Sequence, residues 1–337
     1  MPSRDPNDAA AKPERLRLHE NRKRSDGRGS RPITARPQGV APGQRAPAPA
    51  AAIATLRHML LVATDPRFAA HDPGRGHPER PGRLTAVLDG LGDAGIDGAC
   101  RELPARHATR EELERVHRPG YLDQLEAFCA RGGGRLDADT AANAASWDAA
   151  VLAAGSGLAA VDALTAHEGT AAFCAVRPPG HHAVASHAMG FCLLNNIAVT
   201  AAALRDRGDR VLIVDWDAHH GNGTQDTFWS DPAVLYVSLH EWPLYPGTGR
   251  LDDCGAGAGS GTTVNFPLPA GATGDVYLAA LDEVVAPLVE EFAPDWLLIS
   301  AGFDAHRADP LTGLGLSAGD FADLATRVGA FAPSGRT

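Results

Sequence analysis

The stretch Val211–Gly223, VLIVDWDAHHGNG, constrains the fold more than any other part of the chain. Val211 to Val214 are apolar without interruption and read as a buried strand. Directly behind them come Asp215, Asp217, His219 and His220, in a loop closed by Gly221 and Gly223. Titratable groups at the carboxyl end of a strand suit an open parallel α/β sheet, whose strand ends open into a crevice between the connecting helices. Asp217 and His219 stand two apart, so in extended chain their side chains leave on the same side and reach one cation. A carboxylate with a neutral imidazole suits Zn²⁺. Taken alone the Asp-x-His pattern is equally well a solvated loop, and the other strand ends decide between the two.

Three further apolar runs end in the same manner. Phe173–Val176 empties into RPPGHHA with adjacent His181 and His182; Val234–Leu239 ends in Ser238-Leu239-His240; Trp296–Ser300 leads into AGFDAHRADPLTG with Asp304. A short strand from Leu60 precedes a His71–Pro81 loop, and Pro246–Gly261 reads as a glycine-rich loop. Helical spacing marks Leu84, Val87, Leu88 and Leu91, alanine-rich Ser146–Thr165, Gly190–Leu204, Asp275–Phe292 and Ala318–Phe331, while Thr109 and Glu112 form a capping-box pattern. Strands alternating with helices predict an α/β fold, a three-layer open parallel sheet with helices on both faces. With Asp217, His219 and Asp304 as ligands a metal keeps an open position for water, the layout of a catalytic site. Water there is acidified towards a pKa of ~7. His181 and His182 then serve as base and acid, with Asp215 and Asn222 fixing their tautomers.

With 337 residues and 44% hydrophobic content the chain buries a full core, most simply as one large domain with a tail. A formal net charge of -10 argues against nucleic acid as partner. The 5 cysteines are widely spaced and odd in number, with no Cys-x-x-Cys, so neither a disulfide framework nor a thiolate zinc site is indicated. No apolar run approaches membrane-spanning length and the N-terminus lacks a secretory core, so no membrane partner and a cytoplasmic location are expected. Residues 1–58, rich in Arg, Pro and Ala, read as a disordered tail; a transit-like or nucleic-acid-binding arm is the less favoured reading. Met59 opens what looks like the natural start of the folded part, so the domain is expected over 59–337, with the first 58 residues from an early start codon as a further reading.

From Met59 to about Thr326 the chain resembles the zinc-dependent histone deacetylase and acetylpolyamine amidohydrolase family, in pattern its bacterial class II-like branch. The motifs are HPERP, RPPGHHA, GFCLLNNIAVTA, VLIVDWDAHHGNGTQ, VSLH, YPGTG and SAGFDAHRADPLTG, in that order. The resemblance implies an arginase/deacetylase-like fold, Zn²⁺ on Asp217, His219 and Asp304, and His181 and His182 as the catalytic pair backed by Asp215 and Asn222. It also implies a structural K⁺ held by oxygens around Asp215, Asp217, His219, Ser238 and Leu239, and a second monovalent ion near Phe228, Asp231 and Val234. Phe191 and Tyr245 would wall a substrate tunnel, with Gly190 letting the chain of the substrate pass close to the backbone; composition alone would place both aromatics in the core. Asp139 would accept hydrogen bonds at the rim, and Arg83 would lie beneath the pocket floor or else be a helix-surface charge.

Arginase-like ureohydrolases of the same superfamily hold a second metal on an aspartate two places after the histidine. Here that place is Gly221, which reads against a binuclear manganese site. Polyamine-selecting relatives can carry Asp-Pro-Glu after the third ligand; this chain has Asp309-Pro310-Leu311, and an apolar Leu311 suits an acyl-lysine or other acyl-amide better. Family members continue through a helix to another strand and a Gly-Gly-Tyr loop whose tyrosine donates to the substrate carbonyl, whereas this sequence runs into PSGRT. It therefore reads as truncated before the last strand, and losing one such donor costs ~10² to 10³ in rate. The expected function is a zinc-dependent deacetylase hydrolysing acetyl-lysine or a related acyl-amide. An impaired metal-binding relative or fragment is the alternative, and an acetylpolyamine amidohydrolase the second alternative. The sequence sets no oligomeric state.

Overall fold

The computed structural model describes residues 59–333 and 335–337, so the tail expected over 1–58 lies outside the described residues. The strands are β1 (Leu60–Thr64), β2 (Cys100–Pro104), β3 (Gly133–Arg135), β4 (Ala141–Asn143), β5 (Ala171–Cys174), β6 (Val211–Asp215), β7 (Val234–Glu241), β8 (Thr263–Leu268) and β9 (Trp296–Ser300). The helices are α1 (Gly82–Asp93), α2 (Arg110–Glu114), α3 (Pro119–Ala130), α4 (Ser146–Thr165), α5 (Asn196–Asp206), α6 (Asn222–Phe228), α7 (Gly274–Ala280), α8 (Ala286–Phe292) and α9 (Ala318–Gly329).

β6 is buried at every position because both its faces are packed. Side chains alternate along a strand, so Val211 and Ile213 join Val234 and Tyr236 in one core with α4 and α5. Leu212 and Val214 join Leu235 and Val237 in a second core with α7, α8 and α9. Such a strand has no solvent face to carry a polar residue, which is why its run is unbroken. It pairs in parallel with β7, Asp215 opposite Ser238, and with β9, Asp215 opposite Ser300. These registers bring the carboxyl ends of three strands to one level. The architecture is the expected α/β one, with parallel strands between helix layers, but the strands form two ladders, β2-β1-β5 and β8-β7-β6-β9, plus the antiparallel β3-β4 pair.

Several elements differ from the sequence reading for local reasons. β5 begins two residues before the expected Phe173, because pairing with β1 runs from Leu60 opposite Ala171 to Ala63 opposite Cys174. α5 starts at Asn196 and not at Gly190: Gly190 and Phe191 have φ of 55° and 67°, which a right-handed helix cannot hold. Asn195 is instead the N-cap, its Oδ1 accepting from Ala198 N–H at 3.1 Å. The expected helix 275–292 contains a π-helical turn at Leu281–Val285 just before Pro287, a residue with no N–H for the ladder. β2, α3 and β8 were not anticipated; in β2 Arg101 and Glu102 are adjacent and both exposed, with little apolar content around them. The Thr109 capping box and α4 occur as expected.

α4 corrects one statement about membranes. At 20 residues it is long and apolar enough to cross one by length and composition. Here it is the central helix of the first core, with Leu158, Val161 and Leu164 all buried. Truncating Leu158, 1% exposed, to alanine removes packing that the helix cannot recover. We expect Leu158→Ala to cost about 2–5 kcal/mol, seen as a lower urea midpoint at unchanged slope.

Candidate functional site

At the end of β6 the chain leaves extended structure, and the loop before α6 projects Asp217 and His219 towards the loop that follows β9. One ligand atom each from Asp217, His219 and Asp304 lies within 4.8 Å of the others. His219 Nδ1 is 2.8 Å from Asp304 Oδ2 and 3.2 Å from Asp217 Oδ1. Two carboxylates and an imidazole at this spacing fit a divalent cation. The electrostatics agree: burial disfavours the charge on Asp304 and Asp217 repels it, raising its carboxyl to about 6. Burial opposes the charge on His219 too, yet hydrogen bonds to Asp217 and Asp304 raise it to about 10. The cluster holds protons where a cation would otherwise balance its charge.

The loop after β5 brings His181 and His182 against this cluster. Their rings are 4.0 Å apart, and His181 Nε2 is 3.9 Å from Asp217 Oδ1. The partners behind them differ: His181 Nδ1 meets Asp215 Oδ2 at 2.9 Å, and His182 Nδ1 meets Asn222 Oδ1 at 2.9 Å. Burial works against charge on both. For His181 the carboxylates of Asp215 and Asp217 outweigh it, raising the imidazole to about 9. For His182 the neighbouring cation adds to burial and holds it well below its ordinary value. Two adjacent histidines are thus driven apart in proton affinity.

The structure also reveals groups to which the sequence reading gave no role. Tyr236 Oη lies 3.3 Å from Asp215 Oδ2 and donates to Gly221 O at 3.1 Å. Glu79 of HPERP, with a fully buried side chain, takes both forks of Arg177 from RPPGHHA, at 2.5 Å each. Burial pushes the Glu79 carboxyl up, but hydrogen bonds from His71 and Arg177 overcome it and hold the group at about 2. Arg177 also donates to Phe68 O, so it anchors the start of the segment that ends in the histidine pair. Both residues lie in motifs conspicuous in the sequence, but only the fold pairs them.

The histone deacetylase domain family matches residues 77–336. The chain belongs to the histone deacetylase family. A probable deacetylase of Archaeoglobus fulgidus is 42% identical over 268 residues, covering 79% of this chain and 74% of that protein. A histone deacetylase-like amidohydrolase of Pseudomonas aeruginosa is 38% identical over 259 residues, 75% of this chain and 67% of that one. Histone deacetylase 15 of Arabidopsis thaliana is 44% identical over 261 residues, and the match spans 47% of its length. The crystal structure of the HDA15 HD domain superposes with a TM-score of 0.78 at 39% identity, covering 82% of this chain and 80% of that one. The family is hydrolytic and metal-dependent, which agrees with the cluster of Asp217, His219 and Asp304.

The other residues singled out in this deacetylase-family chain fall around that cluster to different degrees. Tyr245, 37% exposed, stands edge-on to His182 with ring centroids 5.3 Å apart and to His219 at 6.3 Å. Phe191 packs against His77 at 4.9 Å, and its N–H donates to Thr140 Oγ1. A Cβ on Gly190 would meet the His182 ring at 2.3 Å, so only glycine fits there. Asp139, partly buried, offers its backbone carbonyl to His77 Nε2 at 2.8 Å and its carboxylate to Thr140. Leu311 is 46% exposed in the loop beyond Asp304 and joins none of these ring contacts. The Arg83 side chain is 50% exposed, reaching Glu79 Oε1 at 3.7 Å, which places it at a surface end of the buried pair. At the expected K⁺ position, Asp215 and Ser238 are direct neighbours across β6 and β7, both fully buried, with Leu239 next along β7. Near the second expected ion the Asp231 carboxylate is already engaged by Arg205 and by Ala233 N–H.

A Cβ at Gly221 would lie 2.3 Å from Asp215 Oδ2 and 2.6 Å from the Tyr236 hydroxyl. That crowding leaves no room for a further ligand side chain at this position.

Two measurements follow. Because His219 holds a proton up to about pH 10 and Asp304 up to about pH 6, a divalent ion must displace protons to enter. Titrating the chain with metal in buffers of different ionisation enthalpy should show net proton release at pH 7, with affinity rising with pH and weakening steeply below about 6. The Glu79 carboxyl, held at about 2 against an ordinary 4.5, adds stability that is full above 4.5 and lost as pH falls towards 2. Glu79→Gln should cost about 3–5 kcal/mol at neutral pH by urea denaturation, since it leaves Arg177 buried and uncompensated.

Proposed function

We propose that this chain is a zinc-dependent amide hydrolase that removes an acetyl or related acyl group from a lysine-type amine. The observation that carries the reading is the histidine pair with unlike partners, carboxylate behind His181 and amide behind His182, set beside the metal-capable cluster. Asp217, His219 and Asp304 would hold Zn²⁺, which when bound would supply Lewis acidity for the acyl carbonyl and acidify a water molecule. A K⁺ among the oxygens around Asp215, Ser238 and Leu239 would stiffen the same loop.

The roles of the protein groups follow from their proton states. Asn222 Oδ1 only accepts, so neutral His182 keeps its proton on Nδ1 and presents Nε2 as the base. His182 takes a proton from the attacking water as the new C–O bond forms. It returns that proton to the amine nitrogen as the C–N bond breaks, releasing carboxylate and amine. His181, kept cationic by Asp215, steadies the negative charge that develops on the acyl oxygen. Tyr245, Phe191 and Gly190 would grip the aliphatic arm of the substrate, with Asp139 at the rim. Leu311, where a carboxylate would favour a polyamine, supports an acyl-lysine substrate. A second reading is a metal-binding relative with impaired turnover.

The test is turnover of a fluorogenic acetyl-lysine peptide by the full chain loaded with one equivalent of zinc. Under the first reading activity is abolished by a chelator, and His182→Ala lowers kcat by ~10² to 10⁴ at unchanged zinc content. Asn222→Ala should lower it by about tenfold or more. A folded, zinc-loaded chain with no measurable hydrolysis would leave the second reading in possession.

A further inference from the structure

His220 and His240 stand in two conspicuous motifs, yet neither takes part in the chemistry described so far. Both side chains are buried, His220 next to His219 in the metal loop and His240 near the end of β7, and their rings lie 4.8 Å apart. Their partners fix the proton on each. Gln225 Oε1, on α6, accepts from Asn265 Nδ2 at 2.7 Å and from His220 Nε2 at 3.0 Å. His220 Nδ1 is then an acceptor, and the Thr248 hydroxyl donates to it at 2.8 Å. In the same way His240 Nε2 donates to Gly249 O at 2.9 Å, while its Nδ1 accepts from the Ser238 hydroxyl at 2.9 Å.

Thr248 and Gly249 belong to the turn that carries Tyr245. This turn closes on itself through Gly247 N–H, which donates to Leu244 O at 2.9 Å, and the two imidazoles tie it to the metal loop and to β7. The approach is close. A Cβ on Gly249 would lie 2.5 Å from the His220 ring and 2.6 Å from His240 Nε2, and the residue has a φ of 86°. Gly247 has a similar φ of 84°, but a Cβ there meets nothing within 4 Å. Glycine at 247 thus answers to backbone conformation alone, whereas glycine at 249 answers to the two histidines as well. At the head of the same turn the Tyr245 ring stands edge-on to His182 and His219.

We propose that His220 and His240 are positioning residues for Tyr245. Together they seat residues 244–249 against the metal loop, so that the tyrosine ring is in place before the acyl-lysine arm arrives. The proposal rests on the reading of Tyr245 as a wall of that substrate's site. A wall ordered in advance leaves less to be ordered when substrate binds, so loosening the turn weakens binding and spares the bond-making step.

The test uses the full zinc-loaded chain with two readouts, amide hydrogen exchange over residues 244–250 and turnover of a fluorogenic acetyl-lysine peptide. Thr248 is exposed, so replacing it leaves the core intact. Thr248→Val removes the donor to His220 at nearly constant shape, and Thr248→Ser keeps it. The valine variant should exchange roughly tenfold faster over 244–250. Its KM should rise by about fivefold to tenfold with kcat within about twofold, and the serine variant should match the parent in both readouts. Gly249→Ala should raise KM at least as much as Thr248→Val, whereas Gly247→Ala, with the same backbone strain but no collision, should change it by less than about twofold. Unchanged exchange in Thr248→Val, a fall in kcat at constant KM, failure of serine to restore both readouts, or equal effects of the two glycine replacements overturns the proposal. If the parent chain hydrolyses nothing, the functional reading fails by itself and the exchange readout still decides. Loosening of 244–250 by valine and not by serine then upholds the positioning role, and no difference between them overturns it.

Discussion

Asp215 carries a carboxylate into the fully buried end of a central strand, and the organisation of the site follows from the need to compensate it. Removing such a group from water costs several kcal/mol unless hydrogen-bonding partners are brought to it. The partners come from separate parts of the chain: the His181 imidazole from the loop after β5, the Tyr236 hydroxyl from β7, and the Asp217 N–H from its own loop. The Tyr236 hydroxyl arrives because β6 and β7 are in register, with Ile213 opposite Tyr236. The imidazole that neutralises Asp215 thereby keeps a higher proton affinity than its neighbour His182.

The Glu79–Arg177 pair does for the histidine loop what Asp215 does for the metal loop. A bidentate pair with both side chains almost wholly buried fixes direction as well as distance, because a guanidinium fork meets a carboxylate in one plane. The chain then has a short path from Arg177 to His181, tied down at its start by Glu79 and at its end by Asp215. Asn196, donating to Pro178 O, adds a third restraint from the head of α5.

Much of this was legible in the sequence where one physical signal dominates. β6 and β9 match the expected spans closely because strands packed on both faces are unbroken apolar runs, and α4 matches because it is rich in alanine and leucine, which favour helix. The grouping of Asp217, His219 and Asp304 followed from chemistry placed at strand ends, a rule of topology that needs no coordinates. Where two signals compete the reading failed. Residues 190–195 look helical from their apolar content, but positive φ at Gly190 and Phe191 makes them a loop. β2 and β8 carry polar or half-exposed positions and lack a continuous run. Long-range pairings such as Glu79 with Arg177, or Tyr236 with Asp215, are set by which strands lie side by side, and no local pattern encodes them.

The tight packing around Gly221 bears on how chemistries within one superfamily drift apart. An added side chain there would collide at once with Asp215, the partner of His181, and with Tyr236, which donates to that aspartate. Position 221 therefore cannot take up a ligand side chain by a single replacement. The tyrosine would have to shrink and the aspartate to swing away together, and the latter would cost His181 its partner. A larger residue at position 221 would therefore have to come together with changes at Asp215 and Tyr236, a coupling imposed by the space of one missing methyl group.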